Sequence, residues 1–287
     1  MDGPARVSGA RVGHAVVSGG SSGIGLALAR ALAHQGWSLS IVARDLQRLA
    51  AAKSTLAGLG AAVGTYPADV ADAAAVERAV AAAVAAHGPP TLLVACAGMV
   101  VPGLLDEQPL AAFERTLAVN YFGALHMVRA ALPTMRARGG GRIVLVASGA
   151  ALIGLYGYSS YAPSKFAVRG LGEALRSELA PDRIGVSVVY PPDTDTPGFR
   201  EELRHRSALA SRLAGSGGLM TADAVAAAIL RGVERRRFVI APGRRMTALA
   251  ALHSLVGPLL HQFWFDPLIA RLHGSASTST NAGTKRP

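Results

Sequence analysis

The sequence predicts a doubly wound α/β fold, in which helices cover both faces of one parallel sheet. Two observations lead to this prediction: short runs of apolar and β-branched residues recur along the chain, and Ala- and Leu-rich stretches of helical length separate them. Strands that are buried on both faces have continuous apolar sequences, and helical crossovers join them in parallel. With 287 residues, 51% of them hydrophobic, the chain is long enough for a large core and is not a disordered protein.

The strands and the domain limits follow from this pattern. Seven segments are predicted as strands, at residues 14–18, 39–42, 61–66, 92–95, 143–147, 186–190 and 238–240. We expect a single domain over residues 12–241, with an N-terminal extension (1–11), an apolar C-terminal segment (242–273) and a disordered tail rich in Ser, Thr and Gly (274–287).

Composition and charge limit the possible classes of protein. Lys and Arg outnumber Asp and Glu by 29 to 18, so the formal charge is +11, which suggests an anionic partner such as nucleic acid, phospholipid or phosphate. The single cysteine, Cys96, excludes a disulfide framework and a paired-cysteine zinc site, and we expect no metal. Residues 1–13 lack the apolar run of a signal peptide, so we expect a cytoplasmic protein.

A glycine-rich turn follows the first predicted strand. Residues 18–25, SGGSSGIG, lead directly into a predicted helix. Glycine permits a tight turn at positive φ and a close approach of pyrophosphate to the backbone, and the N–H groups at the helix start favour phosphate. The position between strand one and helix one therefore favours a dinucleotide site, and a purely structural turn is the alternative.

The end of the second predicted strand bears on the choice of dinucleotide. Arg44 stands where an acidic residue would bind a ribose 2′-hydroxyl, and because an arginine fits a 2′-phosphate, NADP is favoured over NAD. Arg48, four positions later, is a candidate second contact. A solvated arginine at a helix start is the alternative interpretation of both residues.

Two more residues follow predicted strands. Asp69, after the third strand, either caps a turn or accepts a hydrogen bond from adenine. Cys96, after the fourth strand, has no basic residue near it in sequence, so we interpret it as a small buried residue and not as a nucleophile.

Tyr161 and Lys165 lie four residues apart, on one face of a predicted helix. The chain contains only three lysines, so chance rarely produces this spacing. Because a neighbouring cation favours the phenolate, we expect a lowered pKa that makes Tyr161 a useful proton donor and acceptor near neutrality. Ser148, just after the fifth predicted strand, carries a hydroxyl suited to a carbonyl oxygen, and a plain turn residue is the alternative.

The turn at 18–25 together with Asn120, Ser148, Tyr161 and Lys165 resembles the short-chain dehydrogenase/reductase family, over residues 12–240. The resemblance implies a Rossmann fold and an oxidoreductase. It implies that Tyr161 is the general acid/base and that Lys165 lowers its pKa and binds the nicotinamide ribose. By the same resemblance, Ser148 orients the substrate oxygen and Asn120 holds a water that links Lys165 to solvent.

The resemblance also assigns cofactor contacts, and the implied cofactor is NADPH/NADP. The family's usual Asn-Asn-Ala-Gly is Ala95-Cys96-Ala97-Gly98 here, which removes one side-chain hydrogen bond near strand four. The assigned contacts are Gly19, Ser21, Ser22, Gly23, Ile24, Gly25, Arg44, Arg48, Asp69, Val70, Ala97, Gly98, Asn120, Tyr161, Lys165, Pro191, Thr194 and Thr196.

A narrower resemblance is to the sphingoid-ketone reductases within that family. Residues 18–25, 42–44, 96–99 and 164–171 carry it, and above all residues 190–199, YPPDTDTPGF, where Pro191-Pro192 replaces the usual Pro-Gly. It implies NADPH-dependent reduction of 3-ketosphinganine to sphinganine. The alternatives are another long-chain 3-keto substrate, such as a 3-ketoacyl thioester or a steroid ketone, and a non-catalytic NADP-binding scaffold.

Two segments are predicted to form the substrate site: residues 149–158, GAALIGLYGY, and the stretch after Pro197. Both are rich in apolar or small residues that suit an acyl chain. Asp193 and Asp195 flank Thr194, and our hypothesis is that one of them binds the substrate ammonium group. Turn or helix capping is the alternative role for both carboxylates.

Residues 246–265 contain no formally charged residue and follow five arginines between positions 235 and 245. Their length approaches that of a bilayer span, but Pro258, Gln262 and two histidines favour a segment at the membrane surface, with the arginines on anionic headgroups. An oligomer interface or a lid over the active site is the alternative. The resemblance implies a homodimer or homotetramer at the cytoplasmic face of a membrane. Nucleic acid is not an expected partner because no binding module is recognisable.

Overall fold

A parallel sheet forms the centre of the computed structural model, which describes residues 13–207, 209–211, 218–260, 262–263 and 266–269. The predicted extension at 1–11 and tail at 274–287 lie outside these residues. The strands are β1 (His14–Ser18), β2 (Ser38–Ala43), β3 (Val63–Pro67), β4 (Leu92–Ala95), β5 (Gly141–Val146), β6 (Ile184–Val189), β7 (Asp193–Asp195), β8 (Leu219–Thr221) and β9 (Val239–Ile240).

Helices connect these strands. They are α1 (Gly23–His34), α2 (Leu46–Ala57), α3 (Ala73–His87), α4 (Leu110–Leu117), α5 (Gly123–Ala137), α6 (Tyr161–Glu178), α7 (Pro197–His205), α8 (Ala222–Glu234) and α9 (Arg244–Leu260), with a π-helical turn at Ala118–Phe122 and a 3₁₀ turn at Gly149–Ala151. Several begin at a side-chain cap: Asp45 accepts a hydrogen bond from the Arg48 N–H, and Asp72 accepts one from the Ala75 N–H, each at 3.0 Å.

The central sheet has seven parallel strands in the order β3-β2-β1-β4-β5-β6-β9, and β7 and β8 pair separately. The seven predicted segments are these seven strands, with ends that differ by at most two residues. The predicted fold class is therefore confirmed.

Each face of the sheet packs against its own set of helices, because successive side chains of a strand point to opposite faces. Val16 of β1 lies in the core that contains Met127 of α5 and Val168 of α6, whereas Val17 lies in the core that contains Leu28 of α1 and Ile229 of α8. These two cores hold the strand ends in place and so fix the positions of the loops that follow them.

The strand order reverses between β1 and β4, since β2 and β3 lie on one side of β1 and the later strands lie on the other. In open α/β sheets a crevice forms at such a point, outside the carboxyl ends of the strands. Ser18 ends β1 and Ala95 ends β4, so the glycine-rich turn and the loop with Cys96 both lie at this crevice.

Helix α9 packs beside the loop that follows β5. Met246 is buried, and its terminal methyl group lies 3.0 Å from the position a Cβ on Gly149 would occupy. On the same helix Leu252, Leu255 and Leu259 are exposed. Among the described residues, no helix is both long and apolar enough to cross a membrane.

Candidate active site

The turn between β1 and α1 leaves no room for side chains at two of its glycines. Gly19 has a φ of +67°, and a Cβ there would lie 2.8 Å from the Ala97 backbone; a Cβ on Gly25 would lie 2.4 Å from the Gly19 carbonyl oxygen. Glycine is therefore required here both by backbone conformation and by space. The turn holds the start of α1 directly against the end of β4.

The start of α1 offers uncapped backbone donors. Ser22 is the N-cap residue, but its side chain makes no capping hydrogen bond in the described structure. The N–H groups of the first helical turn therefore face the crevice without a side-chain acceptor, where the helix dipole favours an anion. The glycines and this helix start fit the pyrophosphate of a dinucleotide.

Arg44 and Arg48 lie at the other end of the crevice, where β2 leads into α2, and both side chains are mostly exposed. Arg44 Nη1 lies 3.8 Å from Asp69 Oδ2, and Arg48 Nε lies 3.3 Å from Asp45 Oδ2. The two arginines keep most of their donors available to a ligand.

Asp69 caps a turn, which is one of the two roles predicted for it. Its Oδ1 accepts a hydrogen bond from the Ala71 N–H at 3.0 Å. Its Oδ2 accepts from Arg115 Nη2 at 2.5 Å. Burial acts to raise the pKa of Asp69, but the Arg115 hydrogen bond and the Ala71 N–H outweigh it and hold the pKa below its usual value. Arg115, on α4, was not a candidate from the sequence.

The loop after β4 is tied to β1 and lies against the lysine. The Ser18 hydroxyl accepts hydrogen bonds from the N–H groups of Cys96 and Ala97, at 3.1 and 3.2 Å. A Cβ on Gly98 would lie 3.2 Å from Asn120 Oδ1 and 3.3 Å from Lys165 Nζ, so only glycine fits there without displacing them. Burial raises the pKa of Cys96 to about 11, against the opposing effect of Lys165, so its thiol is protonated at neutral pH.

Asn120 lies in the π-helical turn between α4 and α5, a local widening that is frequent at functional sites. Its side chain is buried and fixed. Oδ1 accepts from the Met99 N–H at 2.8 Å, and Nδ2 donates to the Met99 carbonyl at 3.0 Å and to Ser164 Oγ at 2.8 Å. Asn120 thus joins the β4 loop to α6.

The structure brings Ser148, Tyr161 and Lys165 together. Tyr161 is the first residue of α6, and Lys165 follows one turn later, with Nζ 5.7 Å from the centre of the tyrosine ring. Ser148 lies near enough to Tyr161 for its hydroxyl to act to lower the pKa of the phenol, and its Oγ accepts a hydrogen bond from the Ala150 N–H at 3.2 Å. Lys165 Nζ donates to the Val146 carbonyl at 3.1 Å.

Burial has the largest effect on the pKa values of both Tyr161 and Lys165. Lys165 is only 5% exposed, and burial lowers its pKa to about 8. Burial also raises the pKa of Tyr161 above its ordinary value, and the Ser148 hydroxyl opposes this only in part. In this structure burial outweighs any lowering of the Tyr161 pKa, and the expected effect of Lys165 on the phenol stays a prediction. A protonated phenol suits the donation of a proton.

One cavity of about 900 Å³ joins the glycine turn to this group and to α9. Two kinds of side chain line it. The apolar ones, five of them from α9, form what we call the apolar wall: Met99, Val100, Ile153, Leu155, Met246, Leu249, Leu252, Val256 and Leu260. The polar and charged ones, most of them on or directly after α7, form the charged surface: Tyr158, Asp193, Glu201, Glu202, His205, Arg206 and Arg245.

Both predicted substrate segments line this cavity, but one of them contributes charged side chains as well as apolar ones. Residues of the 149–158 segment supply apolar wall, as expected. In the stretch after Pro197, which forms α7, Gly198 and Phe199 line the cavity as expected. Glu202 and Arg206, the residue after the helix, line it too, so this segment is not the purely apolar cover that was expected. In the sequence the two residues are an i,i+4 pair that is typical of an exposed helix surface, and only packing of α7 against Tyr158 buries them.

The residues between β6 and α7 separate into cavity and surface. Pro191, Thr194 and Thr196 line the cavity, and the Thr196 methyl carbon lies 3.1 Å from where a Cβ on Gly23 would be. Asp193 also lines the cavity. Asp195 is exposed, outside the cavity lining, and pairs with Arg200 Nε at 2.9 Å, so it is not placed to meet a substrate.

Comparison with known proteins identifies the family to which the chain belongs. Residues 13–207 match the short chain dehydrogenase family. The 3-dehydrosphinganine reductase of Danio rerio is 38% identical over 261 residues, which cover 89% of this chain and 78% of that protein.

Two solved structures are similar in fold and sequence. One is a short-chain dehydrogenase/reductase from Burkholderia phymatum in complex with NAD, with a TM-score of 0.76, 30% identity and coverage of 85% of this chain and 92% of that one. The other is L-sorbose reductase from Gluconobacter frateurii in complex with NADPH and L-sorbose, with a TM-score of 0.72, 26% identity and coverage of 82% and 97%.

Proposed function

Because the chain belongs to the short-chain dehydrogenase/reductase family, we propose that it reduces the 3-keto group of 3-ketosphinganine to give sphinganine, with NADPH as the reductant. The observation that carries the proposal is the cavity, which joins Ser148, Tyr161 and Lys165 to a charged surface and to a long apolar wall. A sphingoid ketone has the same division, with a polar head at the ketone and a long alkyl chain. The similarity to the Danio rerio 3-dehydrosphinganine reductase supports this substrate.

The reduction needs a hydride at the ketone carbon and a proton at the ketone oxygen. A bound NADPH supplies the hydride. Tyr161 donates its phenolic proton to the oxygen, and Ser148, held by the Ala150 N–H, orients that oxygen by a hydrogen bond. The product is the secondary alcohol.

Lys165 and Asn120 support the proton transfer. The Lys165 ammonium, fixed on the Val146 carbonyl, stabilises the negative charge that develops on Tyr161 as its proton leaves. Asn120 Oδ1 has a second lone pair beside Lys165, across Gly98, and this arrangement supports its proposed role in holding a water that returns the proton from solvent.

Residues along the crevice would hold the cofactor. The pyrophosphate would be held by Gly19, Ser21, Ser22, Gly23, Ile24 and Gly25. The nicotinamide end would be held by Ala97, Gly98, Tyr161, Lys165, Pro191, Thr194 and Thr196, and the adenine end by Asp69 and Val70. The exposed guanidinium of Arg44, with Arg48 as a second donor, favours the 2′-phosphate of NADP.

In this proposal the reductase domain spans residues 12–241, and α9 binds to the surface of a membrane. Its outer leucines and Phe263 are exposed directly beyond the cavity wall, next to the arginine-rich segment that precedes the helix. This surface suits a bilayer interface with anionic headgroups at the cytoplasmic face.

A second exposed apolar surface lies on or between α4 and α6 and is formed by Leu117, Phe122 and Phe166. It supports a homodimer or homotetramer that forms through those helices.

Replacing Arg44 should change cofactor preference. In Arg44→Ala we expect KM for NADPH to rise about tenfold or more, as for loss of one charge-assisted hydrogen bond, and KM for NADH to stay the same. Steady-state kinetics with both cofactors measures this, with Arg78→Ala, an exposed arginine on α3, as the control. Equal changes for NADPH and NADH would contradict a 2′-phosphate contact.

Substrate comparison tests the proposed reaction. Purified protein in mild detergent should oxidise NADPH with 3-ketosphinganine far faster than with a 3-ketoacyl thioester or a steroid ketone, because only the sphingoid ketone matches both cavity walls. A preference for the thioester or the steroid would contradict 3-ketosphinganine as the substrate but would leave the proposed ketone reduction by NADPH in place. No turnover with any ketone, together with NADPH binding, would favour a non-catalytic scaffold.

The α9 surface should bind anionic membranes. We expect the protein to sediment with vesicles of anionic phospholipid, and the double variant Leu255→Ser/Phe263→Ser to bind at least about tenfold more weakly, because each wild-type side chain exposes more than two thirds of its surface. Leu46→Ser, at a 66% exposed leucine on α2, is the control. If the wild-type protein stays in the supernatant, the membrane role is excluded. Light scattering of the purified protein separately measures the oligomeric state.

A further inference from the structure

Four side chains form a buried polar cluster at the edge of the cavity: Tyr158, Asp193, Glu202 and Arg206. We call it the Arg206 cluster. The Arg206 side chain is 4% exposed; its Nη1 lies 3.0 Å from Asp193 Oδ2, and its Nη2 lies 3.7 Å from Glu202 Oε1. The Tyr158 hydroxyl donates a hydrogen bond to Glu202 Oε1.

The charges of this cluster do not balance. Two carboxylates face one guanidinium, and Asp193 takes the shorter of its two contacts. Glu202 is only 13% exposed and receives a neutral hydrogen bond from Tyr158 and a more distant cation. A buried carboxylate whose nearest cation is 3.7 Å away and shared with a second carboxylate is only partly compensated, so Glu202 has capacity for a further positive charge.

Arg206 also has an unused donor. Its Nε is buried and has no hydrogen-bond partner among the described residues. Because Arg206 lines the cavity, a small movement of its side chain would bring this N–H to an oxygen acceptor that arrives with a ligand. The cluster thus presents an acceptor for a cation and a donor for an oxygen, side by side.

The cluster is close to the reacting group. The rings of Tyr158 and Tyr161 have centres 6.0 Å apart. Glu202 and Asp193 both act on the Tyr161 phenol, where their negative charge adds to burial in raising its pKa. A ligand with its ketone oxygen at Tyr161 therefore places the neighbouring carbon atoms next to this cluster.

We propose that the Arg206 cluster recognises an α-amino ketone, with Glu202 binding the ammonium group on the carbon next to the ketone and Arg206 Nε donating to a neighbouring hydroxyl oxygen. This inference rests on the proposed function and specifies how its substrate is selected. It moves the ammonium site from Asp193 or Asp195 to Glu202, since Asp195 lies outside the cavity and Asp193 is engaged by Arg206.

Recognition of this kind also serves the chemistry. The substrate ammonium cancels the negative charge that Glu202 directs at Tyr161, so the phenol releases its proton more readily when the amino substrate is bound. Neutral long-chain ketones lack this effect.

The test compares 3-ketosphinganine with its analogue that lacks the 2-amino group, in wild-type protein and in Glu202→Gln. We expect the wild type to prefer the amino substrate in kcat/KM, and Glu202→Gln to lose about 10- to 100-fold with it, mainly through KM. For the deaminated analogue kcat/KM should not fall in Glu202→Gln, because the variant also removes the negative charge that raises the pKa of Tyr161. The glutamine still accepts the Tyr158 hydrogen bond, so the packing of α7 is kept.

Two further variants separate charge from structure. Tyr158→Phe removes the hydrogen bond and keeps the carboxylate, so it should keep the preference for the amino substrate. Asp195→Asn, outside the cavity, should behave as the wild type. Equal losses on both substrates in Glu202→Gln, or a wild type without preference, would overturn the inference and leave the reductase function in place. Wild-type protein that turns over neither substrate would instead reject the proposed function.

Discussion

The burial of a lysine ammonium beside a tyrosine is the constraint on which the rest of this site depends. Lys165 is almost without solvent contact, and the Val146 carbonyl at the end of β5 is its hydrogen-bond acceptor. An ammonium in such a place is costly unless hydrogen bonds compensate for its lost hydration. The β4 loop leaves room for it, because a side chain at Gly98 would press against both Asn120 and Lys165.

A division of the cavity into a charged and an apolar side follows from the elements that build it. Helix α7 and the residue after it bring Glu202 and Arg206 to the cavity, whereas α9 and the loop after β5 supply most of its apolar side chains. A ketone that reaches Tyr161 therefore has both kinds of surface within the same cavity. This division is what distinguishes a substrate with a polar head and a long chain from a compact one, and it connects the cavity to the exposed outer face of α9.

The sequence predicts most of the framework, since local patterns determine it: the strands follow from apolar runs, and Tyr161 and Lys165 follow from helical spacing. It does not predict the effect of burial on the charge states, because burial is a property of the three-dimensional packing. Burial raises the pKa of Tyr161 and lowers that of Lys165, and no spacing in the sequence indicates either shift. Glu202 and Arg206 escaped prediction for the same reason, because an i,i+4 ion pair on a short helix gives no sign of the tertiary packing that buries it.

The most direct test of the account is the turnover of 3-ketosphinganine by Tyr161→Phe, with NADPH binding measured on the same protein. Removal of one hydroxyl leaves the ring, the Lys165 site and the cofactor crevice in place. If Tyr161 donates the proton, kcat should fall by about 10²- to 10⁴-fold. NADPH should still bind, with at most a small loss of affinity from the missing Tyr161 hydroxyl. Turnover equal to that of the wild type would contradict the account, because the proton would then come from another group.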